Sequence, residues 1–410
     1  MADLDVTPSL KLNLHLLSVV GMWPASYAVI KLLSYFSVFV IFSFYLSDLA
    51  LAFSVRHDME RLPICIGFVC GYFVSVFKWA WLVKHRKDIR EVMTSLMECI
   101  KLGSANDTSG DWSKALQASN RTSIIVSCSW VLYILYLATQ NTLYPLALNG
   151  MKVDIPPTNH SIHVVSDRAG ENEDILQNKA YMLLYFLPFG DWPFVDTSHS
   201  PAYEMVYFIQ GSGCIVHSVV HSSGDTFIFT LVTLACGQFE ALISSLKTVG
   251  TSIKYPQLEA CIKHHQQLFR TVEKINALYS PIILVEFFNM MLTLCTFAFE
   301  ASKMEGGGLK IWAQAQFFLG TTIELYMICS AGSRLTSLSL QVADAIYESD
   351  WIDKPKHWKK SIMIVMMRGQ KPLKLTGGPF YVISNETCLA LLQLSLSYYT
   401  VLHNVQDAHE

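Results

Sequence analysis

The chain has 410 residues, of which 52% are apolar and 15% charged, with a formal net charge of −3 and a mean hydropathy of +0.34. A soluble enzyme carries about a quarter charged residues, so this composition tells against a soluble catalyst and points to many membrane crossings. No basic stripe recommends nucleic acid as a partner, and the start MADLDVTPSLKLNLHLL lacks the apolar core and cleavage site of a secretory signal.

A helix needs about 20 mainly apolar residues to cross the hydrocarbon core of a bilayer. Seven stretches qualify: 28–54, 63–83, 122–148, 201–246, 276–301, 310–333 and 378–405. The fourth is far longer than a bilayer is thick. Its first part, MVYFIQGSGCIVHSVVHSSGD, is weakly apolar and carries His217, His221 and Asp225; its second part, FIFTLVTLACGQFEALISSL, is strongly apolar. One long helix is expected, with its outer half lining a cavity, although two separate spans remain open. The fifth begins upstream of the lipid, because LEACIKHHQQLFRTVEKINALYSPIILVEFF is helical throughout but amphipathic and basic in its first half. SIMIVMM is too short to span, and 355–369 reads as a helix outside the membrane, interrupted by RGQKPLKLTGG before the last crossing. The stretch 150–200 is a long loop without cysteine, so no disulfide staples it, and the ten cysteines of the chain read as small buried hydrophobes.

Charge orients this arrangement. The segments 84–121, 247–274 and 334–374 hold twenty of the thirty Lys and Arg residues. The alternate connections hold seven: Arg56, Arg61, Lys152, Arg168, Lys179, Lys303 and Lys310. Basic residues concentrate in cytoplasmic loops. The expected fold is therefore an all-α membrane protein with seven transmembrane helices, its N-terminus cytoplasmic and its C-terminus extracellular. That is inverted relative to a G-protein-coupled receptor.

Catalysis has little to stand on. No HExxH, GxSxG or Walker loop occurs, and no metal or other cofactor is expected. His264 and His265 are adjacent, so they point to different sides of a helix, and a solvated amphipathic face accounts for them. Ionisable residues inside spans are Lys31, Asp48, Lys78, Asp225, Glu240, Glu286 and Glu324. Most lie near span ends, where snorkelling explains them. Asp225 and Glu324 are retained as candidates for a functional role.

The run MIVMMRGQKPLKLTGGPFYVISNETCLALLQLSLSYYTVL resembles the C-terminal signature of the insect odorant receptor family. Similar runs are LPFGDWPFVDTSHSPAYEMVYFIQ, GDTFIFTLVTLACGQFEAL and CIKHHQQLF followed by LYSPIILVEF; in the first half LVKHRKDI is the main match. The resemblance implies a single seven-transmembrane domain over 1–410 acting as one subunit of a tetrameric, ligand-gated cation channel. Its last helix would line the pore, and its long cytosolic helix ends would form an anchor domain between subunits. The partners implied are a small volatile odorant, olfactory co-receptor (Orco) subunits, the lipid bilayer and permeant cations. The location implied is the plasma membrane, in the dendrite of an olfactory neuron. Only about ten residues, 248–257, separate the fourth and fifth helical patterns, so the chain resembles a tuning subunit and not the co-receptor.

The resemblance places Val401 and Val405 at the hydrophobic gate and Asn404 at a polar pore position. Spacing by four stacks the valines on one helical face, and apolar rings close a narrow pore by expelling water. Val69, Tyr72 and Phe73 match pocket positions of the family. Depth alone adds Tyr136, Gln140 and Tyr144 from the third span, Tyr207 and Ile209 from the fourth, and Phe317 and Thr321 from the sixth. Asn159 opens a glycosylation sequon in the exterior loop, whereas those at Asn106 and Asn120 fall on the side expected to be cytoplasmic. The rival readings are a gustatory-type channel of the same superfamily, a G-protein-coupled receptor and a transporter.

Overall fold

The structure, a computed structural model, describes residues 6–24, 27–54, 56, 62–105, 110–148, 201–249, 255–303 and 308–407. Ten helices and one small hairpin make up the described part. They are α1 (Pro8–Val19), α2 (Ala28–Ser54), α3 (Leu62–Lys84), α4 (Arg86–Ala105), α5 (Asp111–Leu148), α6 (Ala202–Lys247), α7 (Tyr255–Lys303), α8 (Gly308–Tyr347), α9 (Lys356–Gly369), β1 (Thr376–Gly377), β2 (Tyr381–Val382) and α10 (Asn385–Asp407). Asn159 and Asn106 lie outside the described residues.

Among the described residues five helices, α2, α3 and α5–α7, are long and apolar enough to cross a membrane. Helix α2 shows why: Leu32, Phe39, Leu46 and Phe53 are all exposed on a surface that water would not tolerate but lipid does. Helices α8 and α10 mix in Gln316 and Glu324, or Gln393, Ser395 and Ser397. Polar residues at such depth belong on faces turned to the bundle or to a water path.

Helix α6 is one continuous rod of 46 residues, about 69 Å at a rise of 1.5 Å per residue, almost wholly buried in its second half, while Met205, Phe208 and Ile215 are exposed in its first. It is the axis of the fold. Helix α5 packs along it, and α1 closes over both. Ser9 Oγ donates to Asn120 Oδ1 at 2.6 Å, and Asn13 Nδ2 donates to Thr230 Oγ1 at 3.0 Å. Asn120 is thus held by packing inside α5, with its own amide donating to Leu116 O, which leaves a sequon without the free amide a glycan needs.

At one end the helices run beyond their apolar stretches into a charged bundle. Here α4 lies on the first half of α7, joined by Ser95 and Thr271 (2.8 Å) and by Gln267 Nε2 donating to Glu98 Oε2 (2.7 Å). Exposed ion pairs such as Arg334–Glu240 and Lys247–Glu348 decorate it, and contribute little each. His264 and His265 correct the sequence expectation. They are 2% and 3% exposed, not solvated: His264 lies beside Gly103 of α4 and Ala241 and Leu242 of α6, and His265 packs edge-on against Phe269, whose ring Arg368 of α9 covers. Burial lowers both imidazoles from 6.5 to about 4. Between those values the unfolded chain binds more protons than the folded one, so stability falls as pH drops from about 6.5 to about 4. Thermal melts in detergent at pH 7 and pH 5 test this. The acid loss should be several degrees, and the His264→Gln, His265→Gln double variant should flatten it.

The C-terminal signature folds into a clasp. Thr376 pairs antiparallel with Val382 across a turn in which Gly378 has φ +61°, the left-handed region that glycine occupies without strain. Helix α7 holds the clasp through its backbone: Asn276 Oδ1 accepts from Thr376 N at 2.7 Å, and Ser280 O accepts from Gly378 N at 3.0 Å. Ser384 then caps α10 by accepting from Thr387 N, and Ser333 of α8 accepts from Asn385 N at 2.8 Å. The start of α10 is therefore fixed to both α7 and α8.

Candidate functional site

At the end of the bundle opposite the charged extensions, α3, α5, α6, α7 and α8 enclose a cavity of about 200 Å³. Its walls are mostly apolar and its space is made by missing side chains: Gly67 and Gly71 on α3 and Gly320 on α8 all line it. Tyr72 is 3% exposed and packs at a 46° tilt on His217, with ring centroids 4.3 Å apart. Tyr133 Oη donates to Gln316 O at 2.8 Å and ties α5 to α8 beside the cavity.

The floor is charged. Lys78 of α3 is fully buried and meets Asp225 of α6 at 2.6 Å and Glu286 of α7 in direct contact. His221 Nδ1 lies 3.1 Å from Asp225 Oδ2 and 3.5 Å from Glu324 Oε1. Snorkelling at span ends does not describe Lys78 or Glu286; both are inside, because each faces the bundle axis and finds a partner there. The candidates Asp225 and Glu324 belong to the same cluster. His221, Asp225, Glu286 and Glu324 bring one ligand atom each within 4.8 Å of one another, a spacing a divalent ion could use. The donor set nevertheless fits an ion-pair cluster better, since Lys78 Nζ already supplies positive charge between two of the carboxylates.

Of the pocket candidates from sequence, Tyr72, Phe317 and Thr321 line the cavity. Phe73 is 44% exposed and lines a separate apolar groove with Phe288, Phe380 and Leu391, while Val69 lines neither. The cavity face of α3 is Gly67, Phe68, Gly71 and Tyr72, turned by one residue, about 100°, from the face through Val69 and Phe73. Tyr136 is exposed, and Gln140 is half-buried outside the lining. Tyr207 donates its hydroxyl to Thr142 O, joining α6 to α5 above the cavity, and Ile209 points outward. The side chains of Tyr144, Val401, Asn404 and Val405 lie outside the described residues, although all four positions are helical.

Sequence reasoning did not assign His217, Ser218, His221, Asn289 or Glu324 to the pocket. The signal for them was the four-residue spacing of His217, His221 and Asp225 within an otherwise apolar span. That repeat puts polar groups on one face, which a lipid-facing helix would not carry.

A multi-helix membrane receptor with a mostly apolar pocket between its helices is the class this fold and site define, and comparison with known proteins makes it specific. The profile of the 7tm Odorant receptor family matches residues 65–396, and the chain belongs to that family. Its members are receptors and not enzymes, spanning the membrane several times. The chain is similar to Odorant receptor 10 of Aedes albopictus, 26% identical over 229 residues covering 54% of this chain and 61% of that protein. It is also similar to Odorant receptor Or2 of Anopheles gambiae, 25% identical over 234 residues, 54% of this chain and 62% of that protein. The chain thus spans about three fifths of the length of these curated relatives. Its fold matches the insect olfactory receptor OR5 from Machilis hrabei, solved in complex with eugenol, with a TM-score of 0.76, 16% identity and 97% coverage of both chains.

Proposed function

We propose that the chain is a tuning subunit of an odorant-gated cation channel that binds a small volatile in the cavity between α3, α5, α6, α7 and α8. The observation that carries this reading is that cavity, lined by five helices and largely apolar, in a chain of the odorant receptor family. Apolar walls with few polar groups suit a volatile ligand, and a volume of about 200 Å³ limits it to a compact one. The charge asymmetry of the loops puts the pocket in the outer half of the membrane and the charged bundle in the cytoplasm.

Helix α10 is the pore helix in this reading, with Val401 and Val405 as its apolar gate and Asn404 beside them. Two observations support an assembly of subunits. The Ser395 carbonyl accepts from Cys295 Sγ at 3.5 Å, so α10 rests on α7, while Leu394 and Leu396 remain exposed. On α9, Ile362 and Val365 are buried, whereas Met363, Ile364 and Met367 are exposed on a bundle that lies outside the lipid. Such an apolar face in water calls for a neighbouring subunit, either a second copy or the co-receptor.

Ligand binding opens the pore only to the extent that the open state binds the ligand more tightly. The clasp between α7, α8 and α10 connects the two, because α7 and α8 form walls of the cavity and hold the start of the pore helix. The test is to record currents from cells expressing this chain with and without the co-receptor across a panel of volatiles. Ligand-evoked cation current only with both subunits is expected; none with either combination overturns the reading. Val401→Ala with Val405→Ala should raise basal current severalfold, and unchanged basal and evoked currents would remove the gate assignment.

A further inference from the structure

The floor of the cavity carries more acid than it has base to answer it. Three carboxyl groups, Asp225, Glu286 and Glu324, share one ammonium group, Lys78, with His221 as the only other basic side chain within 4 Å among the described residues. Lys78 engages Asp225 and Glu286 and stands away from Glu324. Glu324 is 6% exposed and lines the cavity; its carboxyl shares a hydrogen bond with Asp225, and its Oε1, approached only by His221 Nδ1 at 3.5 Å, has no hydrogen-bonded donor. Asn289, also in the lining, leaves its buried Oδ1 without a partner. Both orphaned atoms are acceptors. Buried polar atoms in folded proteins find partners in the great majority of cases, so two open acceptors in one cavity lining mark where a donor of the ligand would be received.

We propose that this cavity selects volatile amines, with Glu324 as the acceptor for the ligand nitrogen and Asn289 Oδ1 as a second acceptor. The inference rests on the receptor reading above and narrows it to one ligand class. An amine presents a body for the apolar walls and two or three N–H donors for the floor. If it enters as an ammonium, the Glu324 carboxylate accepts from it directly. If it enters neutral and Glu324 carries a proton, that proton passes from Oε to the nitrogen lone pair, and the same ammonium–carboxylate pair results. An alcohol has a single donor and no charge, and a hydrocarbon has neither. A pocket built to hydrogen-bond its ligand rejects analogues that leave its polar groups unpaired by a wider margin than an apolar pocket rejects a misfit in size. The other titratable groups facing the site are Tyr72 and Cys214 in the lining, His217 and Tyr279. His217 packs on Tyr72 and lies 3.4 Å from Gly71 O, and Tyr279 packs on Phe227 with its buried hydroxyl free of a hydrogen bond beside Asp225 and Glu286.

The experiment is calorimetric titration of the full chain in lipid nanodiscs with three ligands of one shape: phenethylamine, 2-phenylethanol and propylbenzene. Phenethylamine should bind at least tenfold more tightly than the other two. Glu324→Gln keeps the size of the side chain and should weaken the amine at least tenfold while shifting the alcohol less than threefold. Thr321→Phe fills the cavity and should weaken all three together. Equal affinities for the three ligands, binding of none, or amine binding that survives Thr321→Phe would each overturn the proposal. The wild-type comparison decides it even if Glu324→Gln fails to fold. Currents with the co-receptor separate the two readings. Amine binding without evoked current leaves the selectivity standing and removes gating, whereas currents evoked equally by all three ligands retain the receptor and remove the amine preference.

Discussion

Replacing Lys78 by Met should cost about 3–5 kcal/mol, the penalty for leaving a buried charge without its counter-ion. Lys78 has no exposed surface, and its removal strands Asp225 and Glu286 inside the bundle. The membrane gives those carboxylates no route to water without disturbing α6 or α7. The expected result is a collapse of monodisperse protein in detergent, read by fluorescence size-exclusion chromatography. Adding Asp225→Asn and Glu286→Gln to Lys78→Met should recover most of the loss, because an uncharged cluster of similar volume no longer requires the cation. Full stability of the single variant would mean that the cluster is solvated in the folded protein.

The second large effect falls on Gly332, where α8 meets the clasp. A Cβ there would lie 2.6 Å from Ile383 O, 2.7 Å from its Cγ2 and 3.1 Å from its Cβ. The nearest atom is backbone, so a rotamer change cannot relieve the contact. Ile383 is fully buried and donates its N–H to Leu375 O, which anchors it from the other side. Gly332→Ala should therefore push the start of α10 away from α8 at a cost of about 1–3 kcal/mol. The melting temperature should fall, and in the channel reading the concentration of ligand needed for half-maximal current should change at least severalfold. Wild-type behaviour in both would show that the clasp does not transmit position to α10.

The long rods were legible in the sequence because length and apolarity are one-dimensional properties. The amphipathic first half of α7 and the weakly apolar first half of α6 declared that both helices outrun the lipid, and each is one unbroken helix. Facing was less legible. Helix α3 is apolar on nearly all sides, so periodicity could not say whether Tyr72 or Phe73 turns inward, and the cavity face lies one residue away from the face through Val69. Lys78 and Glu286 illustrate the same limit. Proximity to span ends suggests snorkelling, but Lys78 meets Asp225 of α6, 147 positions along the chain, and Glu286 of α7, 208 positions along it. For His264 and His265 the amphipathic pattern of α7 does not reveal that α4, α6 and Arg368 of α9 lie over the positions it marks as polar. Helix α1 and the hairpin gave no signal at all. The first is 12 residues long and is held by Asn120 and Thr230, and each strand has two residues.

Helix α7 holds the cavity residues Asn289, Met290 and Thr293 at one end and, some 20 residues earlier, the Gln267 and Thr271 contacts with α4 at the other. At 1.5 Å per residue the two regions stand about 30 Å apart on one rod. Substitutions that recut the cavity therefore leave the contacts of the charged bundle untouched, and the reverse also holds, since sites so far apart with no shared neighbours vary almost additively. In the channel reading, a lineage carrying such a chain could drift widely in the chemicals it detects while remaining interchangeable in assembly.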